Sequence, residues 1–125
     1  MNNYNKAIVM GNIVRDPEVR YTPSGTAVCN FTVASNYKYK DKEEILYLDV
    51  VAWGKKGETI ADFMSKGKPI LVEGRLKMDE WEDKDGKKRT KIKLNLESFN
   101  FVGPKEAGED NQKSQDSSGD EDAPF

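Results

Sequence analysis

Histidine is absent from this chain of 125 residues, and cysteine occurs once, as Cys29. Without histidine no Ser-His-Asp or Cys-His nucleophilic centre can be assembled. Zinc sites built on histidine or on paired cysteines are excluded as well. A lone cysteine forms no intrachain disulfide, which suits a reducing compartment. No apolar run approaches the roughly 20 residues that a membrane-spanning helix needs. The opening Met1-Asn2-Asn3-Tyr4-Asn5-Lys6 has no apolar signal stretch, so the chain reads as intracellular, with no membrane role. Gly54-Lys55-Lys56-Gly57 lacks the spacing and the Lys-Ser/Thr pair of a phosphate loop. Carboxylates are plentiful, but no pair has a spacing that singles it out. The expectation is a protein that is not an enzyme and needs neither cofactor nor metal.

What is present is divided unevenly. Residues 1–104 carry 18 Lys/Arg and 15 Asp/Glu, a net of +3, while residues 105–125 carry 2 and 7, a net of −5. Eleven of the twelve aromatics lie in the first segment, and the twelfth is the terminal Phe125, behind Asp120-Glu121-Asp122-Ala123-Pro124. Between Val102 and Phe125 no apolar residue larger than alanine occurs. Such a stretch cannot offset its own ordering entropy and is expected to be disordered. The chain therefore divides into one domain over 1–104 and an acidic tail over 105–125.

Within the domain, apolar residues recur with period two, the mark of half-buried strands. Lys6–Val14 is the first such segment, and a short extended piece over Glu18–Thr22 follows the turn at Arg15-Asp16-Pro17. Cys29, Phe31 and Val33 share one face of Ala27–Ala34. In Ile45–Trp53, Leu46, Leu48, Val50 and Ala52 make an aliphatic face, opposite Tyr47, Asp49 and Trp53. Ile60, Phe63 and Met64 at i, i+3, i+4 predict a short helix in Lys56–Lys66, with Gly67 as its stop. Ile70, Val72, Leu76 and Met78 then line one face of a strand. The strand Thr90–Ser98 places Thr90, Ile92, Leu94 and Leu96 opposite Arg89, Lys91, Lys93, Asn95 and Glu97. Asp85-Gly86 turns these last two into one hairpin. Phe31, Phe63, Phe99 and Phe101 are assigned to the core, as is Cys29. Five strands with one short helix between strands 3 and 4 are the layout of an all-β, five-stranded Greek-key barrel, the OB-fold.

Aromatics and lysines off the core faces suit a polyanion with exposed bases. Flat rings stack on bases for about 1–3 kcal/mol each, and basic side chains follow the phosphates. The ring candidates are Tyr37, Tyr39, Tyr47, Trp53 and Trp81, the first two in a polar loop. At about 3.3 Å per residue, Tyr47 and Trp53 stand about 20 Å apart. The basic candidates are Lys42, Lys55, Lys66, Arg75, Lys77, Lys91 and Lys93. RNA, a carbohydrate, or a purely protein-interacting adaptor remain alternatives on this ground.

The run from Asn5 to Tyr21, with Phe31-Thr32-Val33-Ala34, Val50-Val51-Ala52-Trp53-Gly54, Lys66-Gly67 and Val72-Glu73-Gly74-Arg75-Leu76 in order, resembles the bacterial-type single-stranded DNA-binding proteins. Asp120-Glu121-Asp122-Ala123-Pro124-Phe125 resembles that family's acidic tip, and the match covers residues 5–103 and the last six. The resemblance implies stacking of DNA bases by Tyr39, Tyr47, Trp53 and Trp81, and a homotetramer. It further implies a cytoplasmic, nucleoid-associated role in replication, recombination and repair, with partner proteins captured by residues 120–125. Two tyrosines stand where relatives often carry tryptophan, Asp79-Glu80 precedes Trp81 where relatives often carry basic residues, and Asp49 is acidic on the presumed contact face.

Overall fold

Six strands and one helix account for most of the residues described by the computed structural model, which are residues 3–102. In chain order they are β1 (Ala7–Ile13), β2 (Glu18–Tyr21), β3 (Ala27–Tyr39), β4 (Lys42–Trp53), α1 (Lys55–Phe63), β5 (Pro69–Glu82) and β6 (Lys88–Phe101). The strands hydrogen-bond in the order β1-β5-β6-β4-β3-β2, and a further pairing of β1 with β3 at Asn12↔Ala34 and Ile13↔Val33 closes the sheet on itself. The closed barrel thus has five strands, with β2 attached along the edge of β3. Its third and fourth staves are β4 and β5, with α1 between them, as the sequence predicts. One pairing is parallel, β4 with β6 over Asp49–Val51 and Lys93–Asn95; the rest are antiparallel.

The core is built from the alternating faces. Cys29, Phe31 and Val33 of β3, Leu48, Val50 and Ala52 of β4, Ile70 and Val72 of β5, and Leu94 and Leu96 of β6 are buried together with Ile13. Helix α1 closes one end by inserting Ile60, and Met64, just past its end, adds to the same cluster. Two glycines let backbones meet inside the barrel. A Cβ on Gly11 or on Gly74 would fall within 3.0 Å of a facing carbonyl group, that of Ala34 or of Asn95. Gly74 also marks the bulge where the β5–β6 register shifts.

Several sequence expectations change. Tyr37 and Tyr39 do not lie in a polar loop; β3 and β4 continue as a hairpin to Tyr39↔Lys42, turning at Lys40 with φ 59. The composition there is polar because the hairpin projects past the barrel and has no core to cover. Leu46 on that hairpin is exposed, as are Leu76, Met78 and Ile92 on β5 and β6, although all four stand on the predicted core faces. The helix ends at Phe63, and Phe63 and Phe101 are exposed rather than core. Their rings form a tilted pair at 6.2 Å, with Phe99 5.1 Å from Phe101. Met64 leaves the helix with extended backbone and takes the core position that α-helical spacing shared between it and Phe63. The acidic segment 105–125, expected to be disordered, and its tip Asp120–Phe125 lie outside the described residues. No helix among those described is long and apolar enough to cross a membrane.

Candidate nucleic-acid interface

Alternation along a strand sends successive side chains to opposite faces of a sheet. With Leu48, Val50 and Ala52 turned inward, Tyr47, Asp49 and Trp53 must point outward from β4. Register then assembles a single outer face across three strands. Asp49 pairs with Lys93 and Val51 with Asn95. On β5, Arg75 lies opposite Asn95, Lys77 opposite Lys93, Asp79 opposite Lys91 and Trp81 opposite Arg89. Tyr47, Trp53, Trp81, Arg75, Lys77, Lys91 and Lys93 therefore share one outer surface. Tyr47 is 62% exposed, Trp53 48% and Trp81 47%, so none is a core residue. They are half-open rings on a rigid scaffold.

Local contacts fix several of these groups. The Trp53 indole Nε1–H donates to Asn95 Oδ1 at 3.1 Å, which ties the ring to β6. Gly54, with φ 68, starts α1 immediately after Trp53 and places Lys55 at the rim of the face. At the far end of the β5–β6 hairpin, Asp83 Oδ1 accepts the backbone N–H groups of Asp85 and Lys87, each at 2.9 Å. Asp83 Oδ2 takes Arg89 Nε at 2.8 Å. The Arg89 hydrogen bond, with those backbone donors, holds the Asp83 carboxyl below the usual carboxylate range. This Asx-type turn stiffens the arm that carries Trp81.

Three of the four cations on the face are paired. Lys91 pairs with Asp49, Lys93 Nζ lies 2.9 Å from Asp79 Oδ2, and Arg75 Nε lies 3.6 Å from Glu97 Oε2. Burial pushes the Asp49 carboxyl upward. Hydrogen bonds from Lys91 and Thr32, with the charges of Lys91 and Lys93, outweigh that and leave it below the usual range. The hydrogen bond from Lys93 does the same for Asp79. Both acids are ionised at neutral pH.

Not every candidate joins this face. The β3–β4 register runs unbroken from Val28↔Trp53 to Tyr39↔Lys42, so parity puts Tyr39 and Lys42 on the opposite side of the hairpin from Tyr47. There they line a shallow groove with Tyr37 and Glu44. Tyr37, a ring candidate that the resemblance does not include, is exposed like Tyr39, and spacing by two was the signal that joined them. Lys66 lies in the loop after α1, where its backbone N–H donates to Asp16 Oδ1 at 2.8 Å. The tip residues Asp120, Glu121, Asp122, Ala123, Pro124 and Phe125 lie outside the described residues. Asn95 and Thr32, which hold Trp53 and Asp49, were not among the sequence-predicted site residues. Among the described residues no group of three or more His, Cys, Asp or Glu is placed to hold a metal ion.

A small closed β-barrel with half-exposed rings and cations on one sheet face defines a class, that of barrels which present a flat outer surface to an extended polymer. Residues 4–102 match the single-strand binding protein family, and the chain belongs to it. It is 38% identical over 113 residues to the single-stranded DNA-binding protein of Helicobacter hepaticus, covering 86% of this chain and 66% of that protein. The Wolinella succinogenes protein of the same name is 36% identical over 118 residues, covering 90% of this chain and 73% of the relative. The Aquifex aeolicus protein is 42% identical over 103 residues, covering 78% and 69%. The chain thus spans about two thirds of the length of these curated relatives.

Proposed function

We propose that the chain binds single-stranded DNA with little sequence preference and without catalysis. The observation that carries this reading is the placement of Tyr47, Trp53 and Trp81, half-exposed, on the same outer face as Arg75, Lys77, Lys91 and Lys93. Rings of this kind stack on any base, whereas a duplex hides its base faces. The second aromatic groove, Tyr37 and Tyr39 with Lys42, extends the path of a strand that passes round the β3–β4 hairpin. Lys55 and Lys66 supply phosphate contacts at either end of α1. Anisotropy of a labelled dT oligonucleotide, competed with unlabelled duplex DNA and with RNA, tests the reading. Single strands compete best, and equal competition by duplex would sink it.

The finer roles follow from the same reading. Residues 120–125 engage replication, recombination and repair proteins, Phe125 entering an apolar pocket and the acids meeting basic residues. Seven acids in 105–125 add nothing to DNA affinity. Deleting 120–125 therefore leaves DNA binding intact or stronger and abolishes partner capture; retained capture would overturn this role. A homotetramer is supported by Ile8 and Met10, exposed at 59% and 55% on the outer side of β1. Sedimentation velocity of the full chain reads the assembly directly, and a monomer at micromolar concentration refutes it. A protein with this role would act at the nucleoid, in the cytoplasm.

A further inference from the structure

The acidic residues on the outer face have an arrangement that its lysines alone would not require. This inference rests on reading the face as the single-stranded DNA interface. Asp49 sits on β4 between Tyr47 and Trp53, in the middle of the strand that carries both rings. Its two oxygens are separately occupied: Thr32 Oγ1–H donates to Oδ1 at 2.7 Å, and Lys91 pairs with Oδ2. Its side chain is 26% exposed, against 52% for that of Lys91. The acid is thus the anchored partner and the lysine the more exposed one. Asp79, by contrast, is held by Lys93 alone among the described residues. Lys77, beside them, has no ion-pair partner among the described residues.

A lysine paired with a fixed carboxylate has already exchanged its counterion. When a phosphate arrives, the lysine can neutralise it only by leaving Asp49, which then recruits a cation of its own. The cation freed from the phosphate is then offset by the one Asp49 takes up, so the net release from that position is near zero, whereas phosphate contact by an unpaired lysine such as Lys77 frees the phosphate's condensed cation with no offset. An ordinary exposed pair would give way at little cost. The Thr32 hydrogen bond and the partial burial of Asp49 keep this carboxylate in place, so the negative charge stays between the two stacking rings.

We propose that Asp49 is a built-in attenuator of the interface: held by Thr32, it withholds Lys91 from the DNA phosphates and weakens both the affinity and its salt dependence. The affected step is phosphate contact, and Asp49 acts through Lys91 as a positioning residue that touches no base.

The test is the salt dependence of dT oligonucleotide binding by the full chain. Each lysine that contacts a single strand adds about 0.7 to the magnitude of the log–log slope. Asp49→Asn keeps an acceptor for Thr32 and removes the charge, so the slope steepens by about 0.7. Over one decade of salt that is about a 5-fold gain in affinity at the low-salt end. In a Lys91→Gln background the same Asp49→Asn change alters net charge equally but steepens nothing, because no lysine is released. Asp49→Ser repeats the measurement with a smaller side chain if asparagine disturbs the fold. An unchanged or shallower slope in Asp49→Asn overturns the proposal, as does equal steepening in the Lys91→Gln background. If the unaltered chain does not bind dT at all, the interface reading itself falls; binding with an unmoved slope removes only the attenuator.

Discussion

Replacing Gly74 with alanine separates a steric account of this barrel from a conformational one. Gly74 sits at the β5–β6 bulge and is buried, and its φ is unremarkable, so no left-handed strain protects it. The obstacle is the partner backbone. A Cβ there would fall within 3.0 Å of the carbonyl oxygen and carbon of Asn95 and 3.1 Å from the Glu97 nitrogen. Backbone cannot rotate aside as a side chain does, so β5 and β6 must part locally by about an ångström. Overpacking of this kind costs about 1–3 kcal/mol, and one or two ladder hydrogen bonds lost with it add about 1 kcal/mol each. The expected loss is about 2–5 kcal/mol. For a domain near 100 residues, each kcal/mol lowers Tm by about 4–8 °C, so melting falls by about 8–40 °C. Gly25→Ala is the control, since Gly25 has φ +91 and open space around it. It should cost only the left-handed penalty of about 1–2 kcal/mol. Urea unfolding followed by far-UV circular dichroism at matched chain concentration measures both. If Gly74→Ala costs no more than Gly25→Ala, the close approach at Asn95 does not constrain the barrel. Asn95 also accepts the Trp53 indole, so any folded Gly74→Ala protein should bind DNA more weakly.

Other predictions address the interface and the core. Trp53→Ala removes one stacking ring and weakens dT binding by about 1–3 kcal/mol, roughly 5- to 150-fold. The salt plot shifts in parallel, because no charge is lost; a changed slope would contradict a stacking role. Lys77→Gln, read on the same plot, flattens the slope by about 0.7, and an unaltered slope would mean that Lys77 meets no phosphate. Cys29 is fully buried, and burial pushes its thiol up to about 11 from an ordinary value of 9.0. The folded thiol holds its proton longer than the unfolded one. Its contribution to stability is therefore intact below pH 9.0 and declines as pH rises toward about 11. At pH 8 a thiol reagent should label Cys29 only at the rate of unfolding, and rapid stoichiometric labelling of the folded chain would refute the burial.

Most of the barrel could be read from the residues because period two and burial coincide there. Cys29-Asn30-Phe31-Thr32-Val33 and Leu48-Asp49-Val50-Val51-Ala52 alternate in sequence exactly where both sides of the strand differ in environment. Asp85-Gly86 announced its hairpin through turn chemistry that needs no tertiary context. Strand length was not legible beyond the core. Past Ser35 on β3 and before Leu48 on β4, both faces meet solvent, so composition no longer distinguishes an extended hairpin from a loop. Phe63 and Met64 were equally good core candidates, and only the exit of the chain from α1 decides between them. The interface was legible in part. The rings of Tyr47 and Trp53 stand opposite an aliphatic face that the sequence displays. The transfer of Tyr39 to the other side of its hairpin depends on a two-residue turn that its polar surroundings conceal. The Asp49–Lys91 pair depends on the parallel β4–β6 register, which joins residues far apart in the chain and leaves no local trace.

The central claim is that base stacking on an outer sheet face, rather than net charge, holds the DNA. Intrinsic tryptophan fluorescence titrated with a dT oligonucleotide at about 1 M salt, where exposed charges are screened within about 3 Å, tests it most directly. The account predicts saturable quenching that is reduced in Trp53→Phe and again in Trp81→Phe, with little effect from a duplex of equal length. Absence of quenching at that salt, or equal quenching by the duplex, would contradict it.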